Sequence, residues 1–447
     1  MLNPMVPRFV DLAKQWFALS GAGRLWQGAA MTNAPAPPAP APPAPAPPAP
    51  APPATPLVPV AEAQARLLAG VPRVASEKVA IVDAAGRWAT ADVVARRTQP
   101  AADLSAMDGY AIRHADLPGP WRVIGESAAG RPFAGELSTG ETIRIFTGAA
   151  VPAGADCVLI QEEAARDGDA LMLTGEGPLR AGGNVRKRGL DFAVGDRLIA
   201  AGERITPARL AVAITGGVAT IEVARKVRVA IAATGDELVA PGAALDPLAL
   251  PEGNSAMVAA MLADLPVEIV RLGILPDDMG TLTAAFAGVD ADLLVTTGGA
   301  SVGDHDLVRP ALEAAGGVID FWRIALRPGK PMMAGALGPT RVLGLPGNPV
   351  SAFVTATLFV RPLVAHLGGA ASALPQTTWA MLGEDLPANG ARTDYLRAEL
   401  RDGRAYASTI QDSSMLLTLA RSSCLIVREI GAPAAAAGDS AEILVIA

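Results

Sequence analysis

VRVAIAATGDEL, residues 227–238, decides the fold. Val227 to Ala233, VRVAIAA, reads as a strand. Gly235, Asp236 and Glu237 end it with turn chemistry. Downstream, helical and strand-like runs alternate. Helices are expected around Ser255–Leu265, Thr281–Ala287 and Leu307–Ala315, and after Pro349. Strands are expected at Val267–Leu275, Asp292–Thr297, Val318–Leu326 and Arg341–Leu345. This rhythm predicts βαβ units with right-handed crossovers, hence a doubly wound, mostly parallel α/β domain over residues 226–371.

The flanks read differently. Between Thr98 and Gly183, short runs (Trp121–Ile124, Thr142–Phe146, Cys157–Gln161, Ala170–Leu173) are divided by Gly, Pro and Asp. That spacing predicts a small antiparallel or barrel-like β domain over 98–183. Leu57 to about Arg96 reads as helical, with one strand near Val79–Val82. From residue 372 to 447 the short strands Arg397–Arg401, Ala405–Ser408, Ser423–Val427 and Glu442–Ile446 predict a β-barrel. Residues 35–53 read PAPPAPAPPAPAPPAPAPP. Such a Pro/Ala tract is a stiff polyproline II spacer of roughly 60 Å, and the linker is placed at 31–56. Residues 1–30 carry Val6, Phe9, Val10, Ala13, Trp16 and Phe17 at the spacing of one short amphipathic helix. Met31, directly before the tract, is an alternative start.

Composition narrows the function. The chain has 447 residues, enough for about three domains. Lys plus Arg is 37 and Asp plus Glu is 44, a net charge of −7. That balance argues against a sequence-independent grip on nucleic acid. Mean hydropathy is +0.32. Yet the long apolar stretch Ala208–Ala224 is broken by Arg209, two glycines and Glu222, and no membrane span is expected. Cys157 and Cys424 cannot build a disulfide framework, and three histidines leave little for zinc. A cytoplasmic, multidomain globular protein is expected.

In an open parallel sheet, ligands bind beyond the carboxyl ends of the strands. The loops there carry Asp236 and Glu237, Asp277 and Asp278, Gly298 to Asp306, Arg327 to Pro331, and Pro346 to Pro349. One such loop is ordinary capping chemistry. Five on one rim point to a site. Gly298, Gly299, Ser301 and Gly303 open a helix, where backbone amides can cradle an oxyanion. The surplus of carboxylates, Asp236, Glu237, Asp277, Asp278 and Asp306, suggests Mg²⁺ shared with substrate phosphates. Arg323, Arg327 and Lys330 can hold a second anion. Arg323 and Arg327 share one side of the expected strand, provided it runs straight. No P-loop, no GxGxxG and no Ser-His-Asp set is visible.

SAMDGYA (Ser105–Ala111), FTGA (Phe146–Ala149), GNVRKRGLD (Gly183–Asp191), ATGDEL, LPDD, TTGGASVGDHD, RPGKP and GLPGNPVSAF occur in this order. With them the chain resembles the molybdopterin molybdenumtransferase family, which includes MoeA and the gephyrin E domain, from about Leu57 to Ala447. The resemblance implies a reaction: adenylylated molybdopterin and molybdate bind, the metal enters the dithiolene, and AMP leaves with Mg²⁺ assisting. It also implies an elongated four-domain homodimer, with residues 57–97 and 184–225 forming one discontinuous domain. Its functional positions fall on Asp108, Thr147, Asp191, Glu237, Asp277, Asp306, Pro346 and Pro349, with Gly347 and Asn348 in the same turn. Arg323 and Arg327 stand where many relatives have Lys. Arg397 aligns with an Arg thought to face the pterin. Asp412-Ser413-Ser414-Met415 replaces a Gly-Ser-His stretch, keeping the Ser and losing the His. Alternative readings are a molybdopterin adenylyltransferase, whose loop is expected to read GGTG rather than GGAS, and a non-catalytic scaffold of the gephyrin type. A molybdopterin adenylyltransferase or a downstream cofactor acceptor fits as partner; nucleic acid and membrane do not.

Overall fold

A computed structural model describes residues 57–446 apart from 244–245, 300–305 and 330. The expected N-terminal helix and the Pro/Ala linker lie outside the described residues, as do Ser301, Gly303 and Lys330.

The α/β domain holds a six-stranded sheet in the order Val267–Leu275, Val227–Thr234, Leu293–Thr297, Thr340–Leu345, Pro331–Leu337, Val318–Arg323. The first four strands are mutually parallel. Pro331–Leu337 is antiparallel to both neighbours, so every other strand aims its carboxyl end at the same edge. After Val227–Thr234 the chain crosses to one side, then returns to the other side at Leu293–Thr297. The carboxyl ends of these two strands therefore form the topological switch point, where α/β sheets open a crevice.

Alternate residues of the strands enter different layers. Val227, Val229, Ile231, Leu293 and Val295 pack with the helix Asn254–Met261 and the long helical segment Pro349–Leu367. Ala230, Ala232 and Leu294 pack with the helices Met279–Ala287 and Val308–Ala314. Helices cover both faces, which is why the strand sequences do not alternate with polar residues. Pro349–Leu367 is long and apolar enough to cross a membrane, contrary to the expectation that no stretch is. Its most apolar window is 83% buried in the protein, so it is the core helix of this domain.

Three sequence expectations need correction here. The expected strand Val318–Leu326 stops at Arg323. At Ile324 the backbone of Val58 joins it, with Val58 N–H donating to Arg323 O at 2.9 Å and Ala325 N–H to Val58 O at 2.8 Å. Leu326–Arg327 then leaves the sheet and pairs with Thr393–Asp394 of the C-terminal barrel. The antiparallel strand Pro331–Leu337 was not expected, because PMMAGAL is diluted by Ala and Gly and follows a Pro-rich turn. The region read as helical from Leu57 is helical only over Val60–Leu68, and Val60, Ala63 and Leu67 pack on the α/β core. Of the remainder, Ser76–Ala80 pairs antiparallel with Thr220–Ala224 and Val93–Val94 pairs with Arg197–Ile199, while Ile81–Asp83, within the strand expected near Val79–Val82, is one 3-10 turn. Ile81, Val93, Ile199, Ile205, Ile221 and Val223 share one core across these distant segments.

The upstream β domain is one six-stranded sheet. It is mixed rather than purely antiparallel, since Trp121–Ser127 runs parallel to Glu141–Ile145. The C-terminal domain is a closed barrel of Thr393–Arg401, Arg404–Ala407, Thr378–Leu382, Ser440–Val445 and Cys424–Arg428, the last strand closing onto the first.

Candidate functional site

A cleft of about 820 Å³ opens at the switch point. Thr234 and Gly235 form one wall, Thr297, Gly298 and Gly299 the facing one. Glycine is required at this approach. Gly298 has φ +99°, and a Cβ there would lie 2.7 Å from Thr234 O. Gly299 has φ +64°, and its Cβ would lie 2.1 Å from Val308 Cγ2. Asp306 closes this loop: the Val308 N–H donates to its Oδ1 at 3.2 Å, at the start of the helix Val308–Ala314.

Carboxylates collect on the opposite lip. Glu237, Asp277 and Asp306 line the cleft. The Asp277 N–H donates to Asp236 Oδ1 at 3.0 Å, which ties the first and second strand loops together. Partial burial, then the charges of Asp236 and Glu237, push the Asp277 carboxyl above its ordinary value. Among the described residues no group of three or more His, Cys, Asp or Glu side chains is arranged as a metal cage. Glu252 is a further carboxylate of the cleft that sequence reading missed. It is buried, and its Oε1 accepts the Ser255 N–H at 2.7 Å at the start of the helix Asn254–Met261. Asn254, also missed, donates from Nδ2 to Gly347 O at 2.7 Å. The signal in the sequence was the Glu-Gly-Asn-Ser turn before that helix, an ordinary capping pattern.

The Pro346-Gly347-Asn348-Pro349 turn forms the floor beside Gly329 and Pro331. The barrel reaches it from above. Asn348 Nδ2 donates to Ser413 Oγ at 3.0 Å, and Val350 N–H donates to Ser413 O at 3.1 Å. Ser414 and Leu416 line the cleft.

Three family models match the chain. They are the MoeA N-terminal region (domain I and II) over residues 58–217, a probable molybdopterin binding domain over 230–366, and the MoeA C-terminal region (domain IV) over 380–446. A molybdopterin molybdenumtransferase of Haemophilus influenzae is 34% identical over 399 residues, covering 86% of this chain and 97% of that protein. The chain belongs to the molybdopterin molybdenumtransferase family. It is accordingly an enzyme of molybdenum cofactor biosynthesis. The Nostoc sp. molybdopterin molybdenumtransferase is 32% identical, covering 87% of this chain and 94% of that protein. The molybdopterin biosynthesis MoeA protein of Pyrococcus horikoshii has the same fold, with TM-score 0.74 and 27% identity over 87% of this chain and 100% of that one.

Within this molybdenumtransferase fold, the cleft gathers Glu237, Asp277, Gly298, Gly299, Asp306 and the whole Pro346–Pro349 turn. Other expected positions lie elsewhere. Asp108 and Thr147 stand on the β domain, where Asp108 Oδ1 accepts the Thr147 N–H at 2.7 Å and its hydroxyl at 3.0 Å. Those two bonds hold the Asp108 carboxyl below its ordinary value. Asp191 is exposed beyond the basic triplet, and its N–H donates to Gln99 O. In that triplet Lys187 pairs with Asp103 at 2.8 Å. The expectation that Arg323 and Arg327 share one strand side is overturned, because the strand ends between them. Arg327 instead pairs with Asp394 of the barrel. Arg397, expected to face the pterin, is not among the residues that line the cleft. It is 1% exposed, on the face of its strand opposite to the barrel-core residues Leu396, Ala398 and Leu400, and the carbonyls of Ile410 and Met415 accept from its guanidinium.

Proposed function

We propose that this enzyme inserts molybdate into adenylylated molybdopterin with release of AMP. The observation that carries the reading is the single cleft joining glycine-loop amides, carboxylates and the Asn348 turn at the switch point. Its volume lies in the range of about 300–1,000 Å³ expected of small-ligand sites. The Gly298–Gly299 backbone can approach a phosphate closely, because no Cβ stands in the way. Molybdate, a tetrahedral dianion, is assigned to Arg323, the last residue of the strand Val318–Arg323, and to Lys330 between the cleft residues Gly329 and Pro331.

Mg²⁺ fits the carboxylate lip. Partial burial first, and then the charges of Asp236 and Glu237, raise the Asp277 carboxyl above its ordinary value, and a divalent cation offsets both costs of ionising it. Mg²⁺ takes one or two carboxylates and completes its shell with water and phosphate, so no full protein cage is required. Glu237 and Asp277 would hold it, with Asp236 accepting the Asp277 N–H and Asp306 on the facing glycine loop. When bound, the ion neutralises charge on the phosphate oxygens as AMP departs. Asp108, Thr147 and Asp191 are proposed to act in the same reaction on the strength of the family resemblance, and the homodimeric state and cytoplasmic location rest on that resemblance too. The test is incubation with adenylylated molybdopterin, molybdate and Mg²⁺, with AMP measured. Release that needs both molybdate and a divalent cation supports the reading; AMP release independent of molybdate rejects it.

A further inference from the structure

We propose that Arg397 is a positioning residue that holds the segment Ile410–Met415 as a wall of the cleft. Arg397 sits on the barrel strand Thr393–Arg401. One terminal nitrogen donates to Met415 O at 3.1 Å, the other to Ile410 O at 3.1 Å, and Nε reaches Gln411 Oε1 at 3.4 Å. Gln411 completes the clamp: its Oε1 accepts the Arg397 N–H at 3.1 Å, and its Nε2 donates to Arg397 O at 3.0 Å. None of these acceptors is a carboxylate. The cation is satisfied by the two ends of one short segment, and that segment cannot leave without stranding a buried charge.

The same segment meets the α/β domain at one residue. Ser413 accepts from the Asn348 side chain and from the Val350 N–H. Asn348, Ser414 and Leu416 line the cleft, whereas Arg397 does not. The Arg397 guanidinium is therefore coupled, through the backbone of this one segment, to the Ser413 hydrogen bonds on the turn that floors the substrate cleft. Planar, multiply donating geometry is what the position needs, and Lys cannot reproduce it.

The kinetic arm of the test rests on the reaction proposed above; the structural arm does not. Arg397→Lys and the milder Gln411→Ala are compared with the full chain by hydrogen exchange and by AMP release. The amides of Met415 and Val350 should exchange faster in both variants, while the barrel strand Cys424–Arg428 keeps its protection. KM for adenylylated molybdopterin should rise on the order of tenfold, with kcat changed less, because a displaced wall costs alignment. Adding Ser413→Ala to Arg397→Lys should raise KM no further, since both act through this one segment. Unchanged exchange at Val350, or fully additive effects of the two substitutions, overturns the proposal. If Arg397→Lys does not fold, Gln411→Ala must show the exchange and KM changes, and its failure to do so overturns the proposal. Faster exchange in the variants of a wild-type protein that releases no AMP rejects the reaction and leaves the positioning role standing.

Discussion

Arg327 holds Asp394 with two guanidinium nitrogens, Nε lying 2.8 Å from Asp394 Oδ1 and a terminal nitrogen contacting Oδ2. The carboxylate is 4% exposed and the arginine side chain 55%. The pair joins the short strand Leu326–Arg327 to the barrel strand Thr393–Arg401, beside their short parallel pairing. Gly329 and Pro331, which line the cleft, follow directly.

Arg327→Ala therefore leaves a buried carboxylate without its cation. The expected cost is about 1–3 kcal/mol, toward the lower end because the arginine is half in water. Thermal melts should show a lower Tm. The molybdate concentration for half-maximal AMP release should stay near the wild-type value. A roughly tenfold rise in that concentration with unchanged Tm would instead place Arg327 on the anion.

Asp277 gives a pH and metal prediction. Its folded-state pKa is raised, so the native state holds the proton more tightly than the unfolded chain. Stability tied to this group is present at acid pH and is lost as pH rises from the ordinary carboxylate value through the raised one. Above that window Asp277→Asn removes the repulsion, and its Tm at neutral pH should exceed that of wild type. Mg²⁺ should raise the Tm of wild type more than that of the variant. The variant should also need more Mg²⁺ for AMP release. Equal Mg²⁺ responses in melts and turnover would remove Asp277 from the metal site.

The sheet was legible because its signal is local. Val227–Thr234 and Leu293–Thr297 are short apolar runs closed by Gly and Asp, and their carboxyl ends mark the site without any tertiary knowledge. What failed was tertiary. Val318–Leu326 reads as one strand-like run, yet it is divided between sheet and barrel, with Val58, far away in sequence, bridging to it at Ile324. Arg397 reads from its family position as a cation facing the pterin, and only the fold brings its guanidinium against the carbonyls of Ile410 and Met415. Glu252 and Asn254 look like caps in sequence, and only the fold brings them to the cleft.

The Asp108–Thr147 pair predicts a titration. Two donors from one residue depress the Asp108 carboxyl, the backbone N–H first and the hydroxyl second. Thr147→Val removes the hydroxyl and keeps the β-branched shape. The Asp108 titration, followed by NMR, should move up toward the ordinary carboxylate value without returning fully, because the backbone donor remains. Both groups are exposed, so melts should hardly change. No movement of the titration would show that the backbone bond alone sets it.

Gly299→Ala tests the glycine loop. Two separate costs act there. The first is backbone strain: φ is +64°, a region that costs an L-residue roughly 1–2 kcal/mol. The second is steric. The added methyl would stand 2.1 Å from Val308 Cγ2 and 3.2 Å from Asp306 Oδ1. Val308 is 1% exposed and lies in a helix, where a β-branched side chain has one strongly preferred rotamer. It cannot swing aside, so the loop must move, carrying its amides and Asp306 out of register with the cleft. Misplacement by about 1 Å can cost on the order of 10²-fold in turnover. Gly338→Ala separates the two costs. Gly338 has φ +57°, nothing lies within 4 Å of its added methyl, and it turns the hairpin between Pro331–Leu337 and Thr340–Leu345. That variant should lose Tm through strain alone and keep wild-type AMP release, whereas Gly299→Ala should lose both. If Gly299→Ala falls only in Tm, by as much as Gly338→Ala, then the loop amides do not contact the substrate, and the phosphate must be held elsewhere in the cleft.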